Sequence, residues 1–215
     1  MSLAEIAYES IKESLLKMDL TDPSVEERID ERGLAKKLGV SRTPLREAIN
    51  RLVMEGFLKV APRKGVYVVK KTKEEIIEIL LVRVALEGMA ARLATKNATD
   101  KDIRRMRKIF SSFNVRDIKG QFSRYLKANV EFHNLILKMS QCGKLIDVAS
   151  PFSEHMRWIN DRSAGDRERL PKAHQEHLQI VEAIERRDPD LAERTMRLHI
   201  WGLAQYIEEN MDFPA

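Results

Sequence analysis

Hydrophobic and polar positions follow a helical spacing over most of this chain. Near the amino end, apolar or small side chains recur every three or four positions between Leu3 and Met18. This pattern predicts an amphipathic helix over about residues 2–18. A polar stretch that contains a proline, residues 19–30, then reads as a connection. A short helix is predicted over 33–38, because Gly39 is a good carboxyl-terminal stop.

The next segment combines another helix with a change of periodicity. Ser41 can cap the helix, Pro44 is tolerated in its first turn, and Gly56 ends it after Glu55. Apolar residues then lie on both sides of a basic turn at 62–65, which predicts two short β-strands. Three helices followed by a hairpin are typical of a winged helix-turn-helix.

From Thr72 onward the pattern is helical almost throughout. Thr72 with Glu75, and Thr99 with Asp102, resemble capping boxes. We predict helices over residues 72–95, 99–113, 116–140, 145–161, 170–187 and 189–210. The predicted fold is therefore mainly α, with a winged helix-turn-helix in residues 1–71 and an all-α antiparallel bundle in residues 72–215.

Composition narrows the class of protein and its compartment. The chain has 215 residues, 43% of them hydrophobic, and no apolar run long enough for a membrane span. It opens without a secretory signal pattern, and Cys142 is its single cysteine, so an intrachain disulfide is excluded. We expect a cytoplasmic protein that does not contact a membrane.

Charge is strongly segregated along the sequence. Residues 32–71 hold eleven Lys or Arg and two acidic residues, whereas residues 1–31 hold three basic and nine acidic residues. Double-stranded DNA is the natural partner for positive charge focused on a helix-turn-helix. In such a motif the first turns of the second helix meet base edges, and here they carry Arg42, Thr43 and Arg46. The alternative is a solvated basic face on an ordinary three-helix domain.

All the histidines lie in the second half of the chain, at His133, His155, His174, His177 and His199. Asn129 and His133 are one helical turn apart, and the predicted helices that carry His177 and His199 are joined by a short connection. A bundle can thus converge one oxygen and three imidazoles, a set suited to zinc, nickel or a similar divalent ion. The alternative is that each histidine is an ordinary core or surface residue, and we assign no role to His155 or His174.

The first 71 residues resemble a known family of regulators. The run Leu34–Ala48, followed by Glu55-Gly56-Phe57 and Arg63–Val68, is similar to the DNA-binding domain of GntR-family transcription regulators. The Pro-Gly pair usual before the second helix is absent here. The resemblance implies DNA contacts by Arg32, Arg42, Thr43, Arg46, Lys64 and Gly65.

The second half resembles the effector domain of the FadR-type branch, the FCD domain. The resemblance is carried by Arg83 with Glu87, Asn129-x-x-Phe132-His133, His177-x-x-Ile180 and Met196-x-x-His199. It implies a metal held by Asn129, His133, His177 and His199, although the family more often has Asp at position 129. It also implies that Arg83 faces the cavity and receives a carboxylate effector. From spacing alone, Arg83 and Glu87 could equally form a surface ion pair.

We therefore expect a homodimeric transcription regulator, not an enzyme, that reads a pseudo-palindromic operator and responds to a small organic acid. Two alternatives remain open at this point. One is a metal-dependent enzyme fused to a DNA-binding domain, for which only Glu131 and Glu176 lie near the predicted ligands as candidate bases. The other is a DNA-binding protein that responds to no effector.

Overall fold

A computed structural model describes residues 2–18, 28–114, 117–160 and 168–211, apart from the side chains of residues 16, 17 and 153–160. The chain divides into two compact units, Met1–Lys71 and Thr72–Ala215. Within the described ranges, no helix is both long and apolar enough to cross a membrane.

The first unit is a winged helix-turn-helix, as the sequence predicts. Its elements are α1 Leu3–Lys17, α2 Glu31–Leu38, α3 Arg42–Met54, β1 Leu58–Ala61 and β2 Gly65–Val68. The strands pair antiparallel, with Leu58 opposite Val68. Arg28 adds an isolated bridge to Tyr67, so the wing is tied to the residues just before α2.

Local capping explains where these helices begin and end. Gly39 ends α2 in the left-handed region at φ 64°, as predicted. The predicted start of α2 is two residues late, because the Asp30 side chain accepts a hydrogen bond from the Arg32 N–H and starts the helix at Glu31. The predicted cap by Ser41 is wrong: Ser41 occupies the N-cap position of α3, but its side chain makes no capping bond. Ser41 is exposed, and water can satisfy the first N–H groups there.

The core of this unit fixes α3 against α1. The buried side of α3 consists of Leu45, Ala48, Ile49 and Leu52. At the far end of α3, the Tyr8 hydroxyl donates to Glu55 at 2.7 Å, and Lys12 forms an ion pair with the same carboxylate at 3.1 Å. These contacts determine which side of α3 remains exposed.

The second unit is helical throughout its described residues. Its helices are α4 Lys73–Asn97, α5 Asp100–Ser111, α6 Phe122–Met139, α7 Gly143–Asn160, α8 Leu170–Glu185 and α9 Pro189–Asn210. A short 3₁₀ turn, Ile118–Gln121, precedes α6. The helix predicted over 116–140 therefore starts later, at Phe122, and its predicted first residue, Arg116, lies outside the described residues. Both predicted capping boxes are present, at Thr72 with Glu75 and at Thr99 with Asp102.

Helices α4 and α9 pack closely along their length, and they carry two of the elements of the site described below. Gly88 allows the approach, because a Cβ atom there would lie 2.6 Å from Cγ of Arg197. Around this pair, an aromatic cluster of Phe110, Tyr125 and Phe132 is fully buried. Its rings line the space between α5, α6 and α8, directly beside the histidines.

Candidate functional site

Three histidines from three helices meet inside the second unit. His133 on α6, His177 on α8 and His199 on α9 are all buried, and their candidate ligand atoms lie within 4.8 Å of one another. The ring centroids of His177 and His199 are 4.4 Å apart, and those of His133 and His199 are 5.4 Å apart. The sequence spacing therefore identified residues that the fold brings together.

Each of these rings has its Nδ1 atom engaged by a neighbouring oxygen. The pairs are His133 Nδ1 with Glu87 Oε2 at 2.5 Å, His177 Nδ1 with Tyr125 Oη at 2.8 Å, and His199 Nδ1 with Glu176 Oε2 at 2.7 Å. A carboxylate can only accept, so Nδ1 is the protonated nitrogen of His133 and His199. The Tyr125 hydroxyl can accept from His177 in the same way. This leaves three Nε2 lone pairs for a common ligand, the arrangement usual for metal-binding imidazoles.

The His177 ring gives a direct test of whether a metal fits. Its Nε2 atom is buried without a hydrogen-bond partner among the described residues. Burial holds the pKa of His177 well below its ordinary value, and the neighbouring His199 and His133 lower it further. Burial also lowers the pKa of His199 to about 4, although Glu176 opposes the shift. Both rings are therefore neutral at pH 7, which is the form that binds a metal.

Asn129 lies at the edge of the same site. It lines a small cavity of about 30 Å³ together with His133 and His199. Asn129 is one turn before His133 on α6, so its amide and that imidazole lie on one face of the helix. All four predicted ligands are thus found around one point of the bundle.

The two unassigned histidines have different outcomes. His174 is buried on α8 and packs edge-on against Phe110, with ring centroids 5.8 Å apart. Its Nδ1 atom also lacks a partner within the described part of the chain, and burial lowers its pKa. It lies outside the group of three converging rings. The side chain of His155 is outside the described residues.

The Arg83–Glu87 pair is buried, so its interpretation as a surface ion pair is wrong. Arg83 is 4% exposed and Glu87 is 1% exposed, and Arg83 Nε lies 2.6 Å from Glu87 Oε1. Burial alone would raise the pKa of Glu87, but the charges of Arg83 and His133 outweigh it and lower that pKa to about 2. The ionised Glu87 thus connects Arg83, which lines the cavity, to a candidate metal ligand.

A second set of contacts was missed from the sequence. Arg169, just before α8, is buried, and its Nη2 donates to Glu176 Oε2 at 2.9 Å and to the His199 carbonyl at 3.1 Å. Arg169 lines the cavity as well. No motif spacing connects it to the histidines, although its position one turn before the His174–His177 stretch was a signal. Glu131, the other candidate base, is exposed and pairs with Arg105 at 2.8 Å.

The predicted DNA-contacting residues lie on the surface of the first unit. Arg42, Thr43 and Arg46 are exposed in the first turns of α3, and Arg32 is exposed at the start of α2. Gly65 begins β2 with φ +120°, a conformation that L side chains rarely adopt. A Cβ atom at Gly65 would also lie 3.2 Å from Nε of Arg28. A glycine is therefore required at the wing tip.

A winged helix-turn-helix joined to a helical ligand-binding bundle defines a class of protein, the DNA-binding transcription regulators. The sequence profile of the FCD domain matches residues 78–201, and that of the bacterial regulatory proteins of the gntR family matches residues 3–68. The chain belongs to the GntR family and carries an FCD domain. It is a DNA-binding transcriptional regulator of this type.

Similar proteins share this organisation. The Nta operon transcriptional regulator of Aminobacter aminovorans is 36% identical over 179 residues, which cover 81% of each chain. A probable D-xylose utilization operon transcriptional repressor of Paenarthrobacter nicotinovorans is 28% identical and covers 80% of this chain and 75% of its own. The structure of E. coli McbR/YncC has a TM-score of 0.76 at 22% identity, with 97% and 98% of the two chains covered. That likeness shows the fold.

A change at Glu176 tests how the histidines are held. We expect Glu176→Gln to weaken metal binding by about tenfold, because the neutral amide accepts less strongly from His199 Nδ1. The metal affinity can be measured by competition with a chelating dye. Glu131→Gln is the matched control, since it removes the same charge from an exposed position, and it should leave the affinity unchanged. Equal effects of the two changes would contradict the orienting role of Glu176.

Proposed function

We propose that this regulator controls its binding to DNA through a small organic acid bound beside a divalent metal, zinc or nickel, in the second unit. The observation that carries the proposal is the buried His177 Nε2 atom, which lacks a partner among the described residues and lies among two other candidate Nε2 ligands. Leaving such an atom unpaired costs about 1–3 kcal/mol, which a bound metal would offset.

Asn129, His133, His177 and His199 are the proposed ligands. The metal would supply a localised positive charge that attracts an anionic effector. The chain's own part is orientation: Glu87, Tyr125 and Glu176 hold the Nδ1 side of the three rings. An amide oxygen is neutral and binds a metal more weakly than a carboxylate, so Asn129 favours a looser fourth bond than Asp would provide.

Arg83 is the proposed acid-binding residue. A buried guanidinium that borders a cavity suits a carboxylate, because its N–H groups match the two oxygens. Two similar proteins are described as operon regulators, which supports control by a small molecule. The acid can shift DNA binding only if it binds one arrangement of the protein more tightly than another.

We further propose a homodimer that reads a pseudo-palindromic operator. One recognition helix covers only a few base pairs, so two copies are needed for a specific site. Arg42, Thr43 and Arg46 would meet base edges, while Arg32, Lys64 and Gly65 contact the backbone or the wing's groove. The side chains of Leu81, Val82 and Met89 on α4 are 42–44% exposed and offer an apolar surface for the second copy.

The two alternatives receive less support. A hydrolytic enzyme needs a free base beside the metal, but Glu131 is exposed and Glu176 already binds His199 and Arg169. A regulator without an effector would not explain the buried, unpaired nitrogen of His177 beside a cavity that two arginines border.

Ligand-dependent release tests the proposal. The operator is first selected from random duplexes with the purified, zinc-loaded protein, and its affinity is then measured with a panel of small carboxylates. We expect one acid to change operator affinity by about 5- to 150-fold, and the effect to disappear when the metal is removed by a chelator. If no acid changes either operator affinity or melting temperature, the effector function is wrong.

A further inference from the structure

Two buried arginines, not one, border the cavity beside the candidate metal centre. Arg83 comes from α4, and Arg169 lies at the start of α8. Neither belongs to the group of three histidines. The proposed function uses only Arg83, so the presence of Arg169 in the same wall requires its own explanation.

The hydrogen bonds of each guanidinium leave donors over. A guanidinium has five N–H donors. Arg83 uses Nε on Glu87, and Arg169 uses Nη2 on Glu176 and on the His199 carbonyl. The sealed, unpaired side-chain nitrogens and oxygens of the described residues belong only to His174 and His177, so the remaining guanidinium nitrogens are not enclosed by protein. They are available to a ligand in the cavity.

The fold makes room for Arg169. A Cβ atom at Gly202 on α9 would lie 3.2 Å from Nη2 of Arg169. A larger residue there would push the guanidinium away from both Glu176 and the His199 carbonyl. The glycine therefore lets Arg169 stay buried at the cavity wall, where it is only 5% exposed.

The balance of charge then indicates the kind of ligand. Two guanidiniums face two ion-paired carboxylates, Glu87 and Glu176, which cancel. The imidazoles are neutral when they bind a metal. A divalent metal would thus leave an excess of two positive charges in a buried site, and such charge must be compensated. A ligand with two negative charges does so.

We propose that the effector is a short dicarboxylate, with one carboxylate at Arg83 and the other at Arg169. This inference rests on the proposed function, because the excess charge comes from the metal. The cavity measures about 30 Å³, so the two carboxylates are joined by a short carbon chain. A monocarboxylate of the same length would leave one guanidinium without its anion.

Matched pairs of acids test this proposal. The zinc-loaded protein is titrated calorimetrically with malonate, succinate and glutarate, and with propionate, butyrate and valerate of the same carbon number. We expect at least one dicarboxylate to bind about tenfold or more tightly than its partner, since the second guanidinium gains a charge-assisted pair. Arg169→Gln should remove this preference and leave monocarboxylate binding nearly unchanged.

Controls separate this proposal from the proposed function. Arg105→Gln removes an exposed arginine and should keep the dicarboxylate preference, and Arg169→Lys serves if the Gln variant does not fold, with the preference reduced. Equal affinities within every pair, or a preference that survives Arg169→Gln, would overturn the dicarboxylate and leave metal binding intact. A separate zinc titration reads the proposed function. Failure of zinc to bind would remove that function's metal and, with it, this proposal.

Discussion

Replacing His177 with leucine is expected to abolish metal binding and yet leave the metal-free protein folded. The ring supplies one of three converging nitrogens, so its removal should lower metal affinity by more than the 10- to 100-fold that a neighbouring orienting residue contributes. In the metal-free protein two effects oppose each other. The change loses the bond to Tyr125, and it also removes a buried nitrogen that has no partner within the described residues. We expect a net change in unfolding free energy within about 1 kcal/mol.

The thermal signature of this variant is therefore specific. For the natural protein, free metal at 100 times its dissociation constant should add about 2.7 kcal/mol to the unfolding free energy and raise the melting temperature. For His177→Leu the same metal concentration should produce no rise. Melting curves with and without zinc, together with metal analysis after dialysis, measure both quantities.

His174→Leu is the matched control for this change. His174 lies one turn earlier on the same helix, is equally buried and also has a nitrogen without a partner in the described part of the chain. Its ring is not among the converging three, so the variant should keep its metal affinity. Equal loss of metal in both variants would show that the effect comes from repacking of α8. Metal binding that persists in His177→Leu would refute the site.

The helices were largely predictable because their signals are local. Helix α9 runs from Pro189 to Asn210, as predicted, because Asp188 caps it and the proline fits its first turn. Where a prediction was wrong, the reason is also local. Ser41 could have capped α3 by residue type, but the sequence cannot show whether its hydroxyl turns toward the helix or toward water.

The contacts that complete the site could not be predicted in this way. The three histidines share a helical spacing and a resemblance to a family, which placed them together. Arg169 and Tyr125 carry neither signal, because each reaches its histidine only through the packing of separate helices. The same packing decides that Glu176, and not Glu131, is the carboxylate that meets a candidate ligand.

Replacing Arg46 with alanine should weaken specific operator binding much more than binding to unrelated DNA. Arg46 is exposed on α3 one turn after Arg42, and the buried neighbours Leu45 and Ile49 fix the side of the helix on which it lies. An arginine that pairs with guanine O6 and N7 contributes about 1–3 kcal/mol of discrimination. Specific affinity should therefore fall by about 5- to 150-fold, measured against a selected operator and a scrambled duplex at one salt concentration.

The contrast with a lysine on α2 decides whether Arg46 reads bases or only adds charge. Lys36 is exposed in the same unit, and Lys36→Ala should weaken binding to both duplexes by a similar, smaller factor, since a phosphate contact carries no sequence information. The slope of log affinity against log salt should become shallower by about one unit or less for either change. What distinguishes Arg46→Ala is the collapse of the ratio between operator and scrambled affinities. If that ratio is unchanged, Arg46 contributes charge alone, and the reading of bases must be sought at Arg42 and Thr43.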